Sequence, residues 1–590
     1  QTVSLKDQQK RILRIPLEAG TAMGLTEVQV HIESPLMKLD RTFPLQVQAP
    51  TPRQSVLKRY TINPGDTLEI KDSELSGFLR QSVNATLSVS DKAPIDVRGA
   101  VHGLLTYPYG CAEQTTSTAY PHVFIDDAAA KQFGLKAYST AERADMLDKA
   151  IARLGGMQAP NGGFSLWGNV NEYQYWLSAY VTNFLLDTRE QGFTVPPEME
   201  KKAMDFLLSG LQQGVAGLPR GPVQWNENSV WNDWRYAGSG RFGVLAYGAY
   251  VLARQGKAPL ATLRTLADAS EQAHSGLGLV HLGLALKLMG DEPRAKTAIE
   301  SGIKKPRLNN YWWGDYGSTL RDSAQMYVLL QKHGLAPEGM ENLVSVVAGE
   351  VDKYRYISTQ EKLSLFLLGR SFANQQTGDW TADLSVAGKG QNLATKGSAY
   401  VPLAAGELSS GVRIKNTHKE RLFVELNYTG NPSKMPAARR EAFDLKREWY
   451  TADGKPVGDR ALKVGETLIV RLNVKTRGRY TNGLVVDYVP AGLEIENTNI
   501  VQGEQSTVEI AKVDMRAAMQ GAHIKHMEFR DDRFVVAARL EGDMNFFYRV
   551  RVVTPGKFVM PPTYAEDMYQ PMVYGLAGGG ETVTVGDGKP

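Results

Sequence analysis

The sequence predicts a multidomain protein of mixed α and β class. A helical domain is inserted in a β domain, and an antiparallel β-sandwich follows. Three observations predict this. The chain has 590 residues, and a length of that order divides into roughly three or four domains. The hydrophobic period runs from about 2 to about 3.6 and back to about 2 along the chain. The middle region also repeats loosely, as paired helices spaced roughly every 35–60 residues.

Residues 1–50 and 51–92 read as strands. "TEVQVHIESP", "TFPLQVQAP" and "DTLEIKD" alternate apolar and polar residues, and turns such as Asn63-Pro64-Gly65 separate strands. Residues 93–385 change to the helical period, as in "AERADMLDKAIARLGGM", where Leu147, Ile151 and Leu154 fall on one face. Apolar helices such as "GVLAYGAYVLARQG" and "GLVHLGLALKLMG" are followed by second helices such as "APLATLRTLADAS" and "EPRAKTAIESGI". Pairs of this kind predict a stack or closed ring of helical hairpins. The aromatic-glycine turns "NGGFSLWG" and "NNYWWGDYG" join them on one rim. Residues 386–432 ("GVRIKNTHK", "RLFVELNYTG") complete the interrupted β unit. Residues 433–590 form the separate sandwich, with strands "ETLIVRLNVKT", "NGLVVDYVP", "RFVVAARL" and "FFYRVRVVTPG".

Composition excludes several function classes. Hydrophobic content of 42% and charged content of 22% are those of an ordinary soluble chain. A net charge of +4 without dense Lys/Arg runs argues against nucleic acid and anionic membranes. No window approaches the roughly 18 apolar residues of a membrane span. The start, "QTVSLKDQQKRILRIPLEAG", has no signal-peptide core and no initiating Met, so it reads as a mature end or an excised piece.

The only cysteine, Cys111, stands in "YPYGCAEQTTS". Three readings are open: a small buried hydrophobe, a catalytic thiolate served by a His such as His102 or His122, or a partner of Gln114. If a helix opens here, positions i and i+3 share a face about 5–6 Å apart. The Cys111 sulfur can then attack the Gln114 amide, expel ammonia and close an internal thioester. The thiol needs activation, which a helix N-terminus supplies. Gly110 permits an unusual backbone just before the Cys, and Pro108 restricts the approach. A thioester survives only where water is excluded.

This stretch resembles the thioester motif, Cys-x-Glu-Gln preceded by Tyr-Gly, of the α2-macroglobulin and complement C3 family. "DYVPAGLEIEN" and "FFYRVRVVTPGKFVMPPTYAEDMYQP" are similar to the C-terminal receptor-binding-type domain of its bacterial members, so the resemblance spans essentially the whole chain. It implies the end of a macroglobulin-like domain (1–50) and a CUB-like β domain in two parts (51–92 and 386–432). Between these it implies a thioester domain with the α/α toroid fold (93–385), and after them a macroglobulin-type, receptor-binding-like sandwich (433–590). It also implies a protease trap rather than an enzyme: after bait-region cleavage the thioester captures the protease through a lysine amine. Target proteases are then the covalent partners and other envelope proteins further ones. The implied location is the periplasm, anchored to the inner membrane by an N-terminal region absent from this chain.

By the same resemblance Cys111 and Gln114 are the reactive pair, and Gly110 and Glu113 support the motif. Two readings of Glu113 are open, a group that polarises the amide or thiol during ring formation and a solvated acid. Tyr107 shields the thioester from upstream and Met568 from the last domain, with Met560 as the rival. Complement members that prefer hydroxyl targets use a downstream His. No His lies between His122 and His274, which matches members that react directly with amines. Terpene cyclases and prenyltransferases share the toroid but need an Asp-rich motif or zinc ligands. Asp126-Asp127 and Asp531-Asp532 sit in unrelated contexts and the nine His are scattered, so neither metal nor cofactor is expected. A thioester adhesin, or an envelope scaffold in which covalent capture is secondary, are the alternative functions.

Overall fold

The computed structural model describes residues 3–4, 13, 15–20, 22–34, 37–91, 97–105, 110–218, 221, 240–308, 313–351, 353, 357–373, 379–496 and 509–587. Strands Gly24–Ser34 and Met37–Val47 pair antiparallel as a hairpin with mostly exposed side chains. The next β unit is built from both sides of the helical region. One sheet runs in the order Ala399–Ala404, Asn84–Ser90, Leu422–Gly430, Gln54–Ile62; the other runs Thr67–Ile70, Val412–Asn416, Asp379–Val386, Lys389–Lys396. Period-two alternation puts Leu87, Val89, Val424, Leu426, Trp380, Leu384 and Ile414 into one shared core. The helices are therefore an insertion whose two ends leave from one β unit.

The return to β structure comes at Asp379, inside the range 93–385 that the sequence reading gave to the helical domain. In "DWTADLSV" Trp380, Ala382 and Leu384 point inward at period two, and the strand pairs with Val412–Asn416.

Two kinds of helix alternate between Val97 and Ala373. Arg241–Ala253 and Gly276–Leu288 are apolar almost all round and buried accordingly. Thr140–Gly155, Leu260–Asp268 and Glu292–Lys304 bury one stripe only. Helices buried on most sides, some apolar and some carrying buried polar residues, form an inner ring, with Ala112–Phe124, Tyr175–Glu190, Arg241–Ala253, Gly276–Leu288, Thr319–Lys332 and Thr359–Ala373 each packed on the next. Thr359–Ala373 packs back on Ala112–Phe124 and closes the ring. The lone cysteine therefore stands at the closure.

In the C-terminal sandwich the sequence reading separates "ETLIVRLNVKT" from "NGLVVDYVP", and "RFVVAARL" from "FFYRVRVVTPG". The structure joins each pair into one long strand, Thr467–Tyr488 and Arg533–Val552. The polar stretches between them stay paired, Arg479 opposite Glu541, and shift register on either side. Those shifts let the two strands serve different partners along their length: Phe443–Thr451 and Leu493–Glu496 at one end, Thr563–Asp567 and Ile524–Phe529 at the other. The Thr563–Asp567 end leads directly to the cysteine.

Candidate functional site

Helix Ala112–Phe124 starts at Cys111, whose extended backbone (φ −65°, ψ 168°) makes it the N-cap. The Gln114 amide N–H points at Cys111 Sγ, 3.5 Å away, and Cys111 N–H donates to Gln114 Oε1 at 3.3 Å. This is a capping box with Cys in the place usually held by Ser or Thr. The i,i+3 spacing thus becomes a reciprocal contact, and both side chains are 0% exposed. Two further bonds fix the approach: Ala112 N–H donates to the Leu166 carbonyl (2.8 Å), and Arg153 Nε donates to the Gly110 carbonyl (3.0 Å). A Cβ on Gly110 would fall 2.6 Å from a guanidinium nitrogen of the exposed Arg153, so a side chain there would push that arginine aside.

Activation of the thiol by the helix N-terminus does not prevail in the closed fold. Burial, reinforced by Glu113, pushes the Cys111 thiol up to about 12. A free Cys111 is therefore protonated at neutral pH.

The Glu113 side chain reaches into the ring closure and also bonds to Tyr569. Its carboxylate accepts from Ser117 Oγ (2.6 Å), Thr359 Oγ1 (2.9 Å) and Gln360 Nε2 (2.7 Å). Thr359 and Gln360 open the last inner helix, so Glu113 ties the two ends of the ring together. Burial raises its pKa despite these donors. Neither the ring closure nor these partners could be read from the motif, because Thr359 lies 246 residues away.

The C-terminal domain covers the pair. Met568 Sδ lies 3.5 Å from Gln114 Nε2, and Tyr569 Oη lies 3.6 Å from Cys111 Sγ. The turn that presents them is made by Asp567, whose Oδ1 accepts from Tyr569 N–H (3.0 Å) and Gln570 N–H (3.2 Å). Burial pushes Asp567 up to about 6 and neighbouring Glu566 up to about 7. Met568 packs among Leu484, Val486, Val535 and Ala537, with Trp167 of the helical domain against them. Trp167 in turn stacks on His526 at 4.5 Å. Met560 is placed differently, by backbone bonds to Glu581 and Gly580. Tyr107 lies outside the described residues. Sequence reasoning missed Tyr569, although it adjoins Met568 in "DMYQP".

Among the described residues, no group of three or more His, Cys, Asp and Glu is placed to hold a metal ion. Among them, too, no helix is long and apolar enough to cross a membrane.

Residues 83–230 match the A-macroglobulin TED domain family, and residues 443–571 match the bacterial alpha-2-macroglobulin MG10 domain family. The chain is 36% identical over 584 residues to an alpha-2-macroglobulin of Xylella fastidiosa strain Temecula1, covering 97% of this chain and 35% of that protein. To the alpha-2-macroglobulin of Escherichia coli strain K12 it is 34% identical over 584 residues, covering 96% and 34%. It thus spans about a third of the length of the curated relatives it matches. Among solved structures it resembles native E. coli alpha-2-macroglobulin from domain MG7 to the C-terminus, with a TM-score of 0.86, 32% identity and coverage of 96% and 88%. A Salmonella alpha-2-macroglobulin reacted with methylamine gives a TM-score of 0.85 at 32% identity, with coverage of 96% and 36%. With matches to both domain families and, at 32% identity, to 88% of the E. coli piece, the chain belongs to the bacterial alpha-2-macroglobulin family.

Proposed function

We propose that this chain is the thioester-bearing part of a protease trap, in which Cys111 and Gln114 form the reactive bond and lysine amines of a protease are its targets. The observation that carries the reading is the reciprocal pairing of two fully buried side chains under a cover from another domain. Cys111 Sγ bonds to Gln114 Cδ, the Cδ–N bond breaks, and the thiol proton leaves with the nitrogen as ammonia. In capture, a lysine amine adds to the same carbon and the C–S bond breaks. The amine proton passes to sulfur, leaving an amide and a free Cys111 thiol.

Water would compete at every stage, so the closed arrangement must hold until the cover is lifted. The hydrogen-bond partners described for Cys111 Sγ are the Gln114 and Glu113 backbone amides and Tyr569 Oη, and none is an imidazole. That supports direct attack by amines rather than relay to hydroxyls. The reaction of a Salmonella relative with methylamine supports the same chemistry.

The test is a labelled primary amine and a labelled alcohol, each offered to the protein, followed by peptide mapping. The expected result is amine label on Gln114, alcohol label at trace level, and no amine label in Cys111→Ser. Equal labelling of Cys111→Ser and wild type would sink the reading.

A further inference from the structure

Tyr316 combines three unusual features. Its backbone is left-handed, with φ at 53°, which is a genuine outlier for so bulky a residue. It is buried in the helical domain, yet its ring meets Tyr569 of the C-terminal domain edge-on, with centroids 4.4 Å apart at 69°. It also follows Asp315, the centre of a buried ion cluster. Asp315 accepts from both terminal nitrogens of Arg307 (2.8 and 3.0 Å) and from Arg321 (3.0 Å), and it contacts His274 Nε2 at 3.0 Å. Burial works against its charge, but Arg307 and Arg321 hold the carboxyl well below the usual range. Gly317 N–H also donates to Asp315 (3.2 Å), and a Cβ on Gly317 would strike both arginines. The turn is therefore over-determined from behind. On the front, Tyr316 Oη donates to Gln174 Oε1 (2.5 Å), and its ring lies 4.9 Å from Trp176.

Such a strained conformation persists only where its surroundings enforce it, and strain of this kind clusters at functional sites. The ring so fixed braces the aromatic side chain that sits on the sulfur. We propose that Tyr316 is the positioning residue for the sulfur side of the cover: the Asp315 cluster holds its ring where it keeps Tyr569 over Cys111, and this sets how long the thioester stays latent. The inference rests on the thioester reading above. Met568 covers the acyl side without this brace, so the two halves of the cover are separately adjustable.

The test uses the whole chain and methylamine, with thiol release followed on the fraction whose intact mass shows the thioester. Tyr316→Asn removes the ring but tolerates a left-handed backbone, so the turn survives. Loss of an edge-on aromatic pair predicts release roughly three- to tenfold faster. Tyr316→Phe keeps the ring and should stay within about twofold of wild type, on the same ground. If Tyr316 acts through Tyr569, adding Tyr316→Asn to Tyr569→Ala should change nothing further. An unchanged rate in Tyr316→Asn, an equal rise in Tyr316→Phe, or additivity with Tyr569→Ala would overturn the inference and leave the thioester reading intact. A wild-type mass without loss of ammonia would sink both.

Discussion

The two sides of the Cys111–Gln114 pair are held by different forces. On the helical-domain side, bonds of 2.6–3.0 Å from backbone amides, the Arg153 guanidinium and the Glu113 carboxylate fix the residues around the pair, whose own bonds are 3.3 and 3.5 Å. On the C-terminal-domain side, the contacts to the pair are a thioether at 3.5 Å and a phenol at 3.6 Å. Charge-assisted hydrogen bonds are strong and directional, whereas contacts to sulfur are soft and tolerant of displacement. On the proposed reading, the firmly bonded side holds the pair and the softer side is the removable cover. A latent thioester needs that division: geometry that never relaxes on one side, and a lid that opens without unfolding on the other.

The largest effect comes from removing one partner of the pair. Gln114→Ala should abolish methylamine-dependent thiol release outright and leave Cys111 as a buried thiol. Since burial pushes that thiol up to about 12, alkylation at pH 8 should be on the order of a thousandfold slower in the folded than in the unfolded protein. Equal rates would show that the site is open.

Next comes the cover. Truncating a buried Met costs about 2–5 kcal/mol, and each 1.4 kcal/mol of that expressed in cover opening is about tenfold in rate. Met568→Ala should therefore speed methylamine attack at least about tenfold, whereas Met560→Ala, also at a buried site, should lower stability and leave the rate alone. If the two variants behave alike, the cover has no localised contact.

Glu113→Gln sharpens the rigid side. It sets an amide N–H against donors that now find a carboxylate, at a cost of about 1–3 kcal/mol. The expected outcome is a lower melting temperature and a reduced thioester fraction. A normal fraction at reduced stability would confine Glu113 to closing the ring.

The smallest effect is on pH dependence. Burial raises Asp567 from 3.8 to about 6, so the folded state holds its proton more tightly than the unfolded one. Its penalty is absent below about pH 4 and complete above about pH 6, so stability falls as pH rises through that window, by no more than about 3 kcal/mol. Asp567→Asn should flatten that slope in thermal melts while still accepting from Tyr569 N–H. An unaltered slope would remove Asp567 as its source.

How much was legible in the sequence depended on sequence separation. The Cys111–Gln114 contact is three residues long, so helix geometry alone brings the pair together. The β unit on both sides of the helices was readable from period-two alternation, except at "DWTADLSV", where the run beside a long helix was absorbed into the helical range. The partners of Glu113 were not readable, because only closure of the ring brings residues 359 and 360 to residue 113. Tyr316 was hidden for a related reason: its meaning lies in a backbone angle and in a ring contributed by Tyr569, and neither leaves a periodic trace. Merging of strand segments into Thr467–Tyr488 escaped the pattern because paired polar residues interrupt the alternation without interrupting the ladder.

The most direct test of the central claim is the intact mass of freshly prepared protein before and after methylamine, with free thiol titrated in parallel. The expected result is a starting mass lighter than the sequence by one ammonia and no titratable thiol, then a gain of one methylamine and one free thiol. A starting mass equal to the sequence, with one thiol titrating on unfolding and methylamine adding nothing, would contradict it and leave Cys111 as a buried side chain.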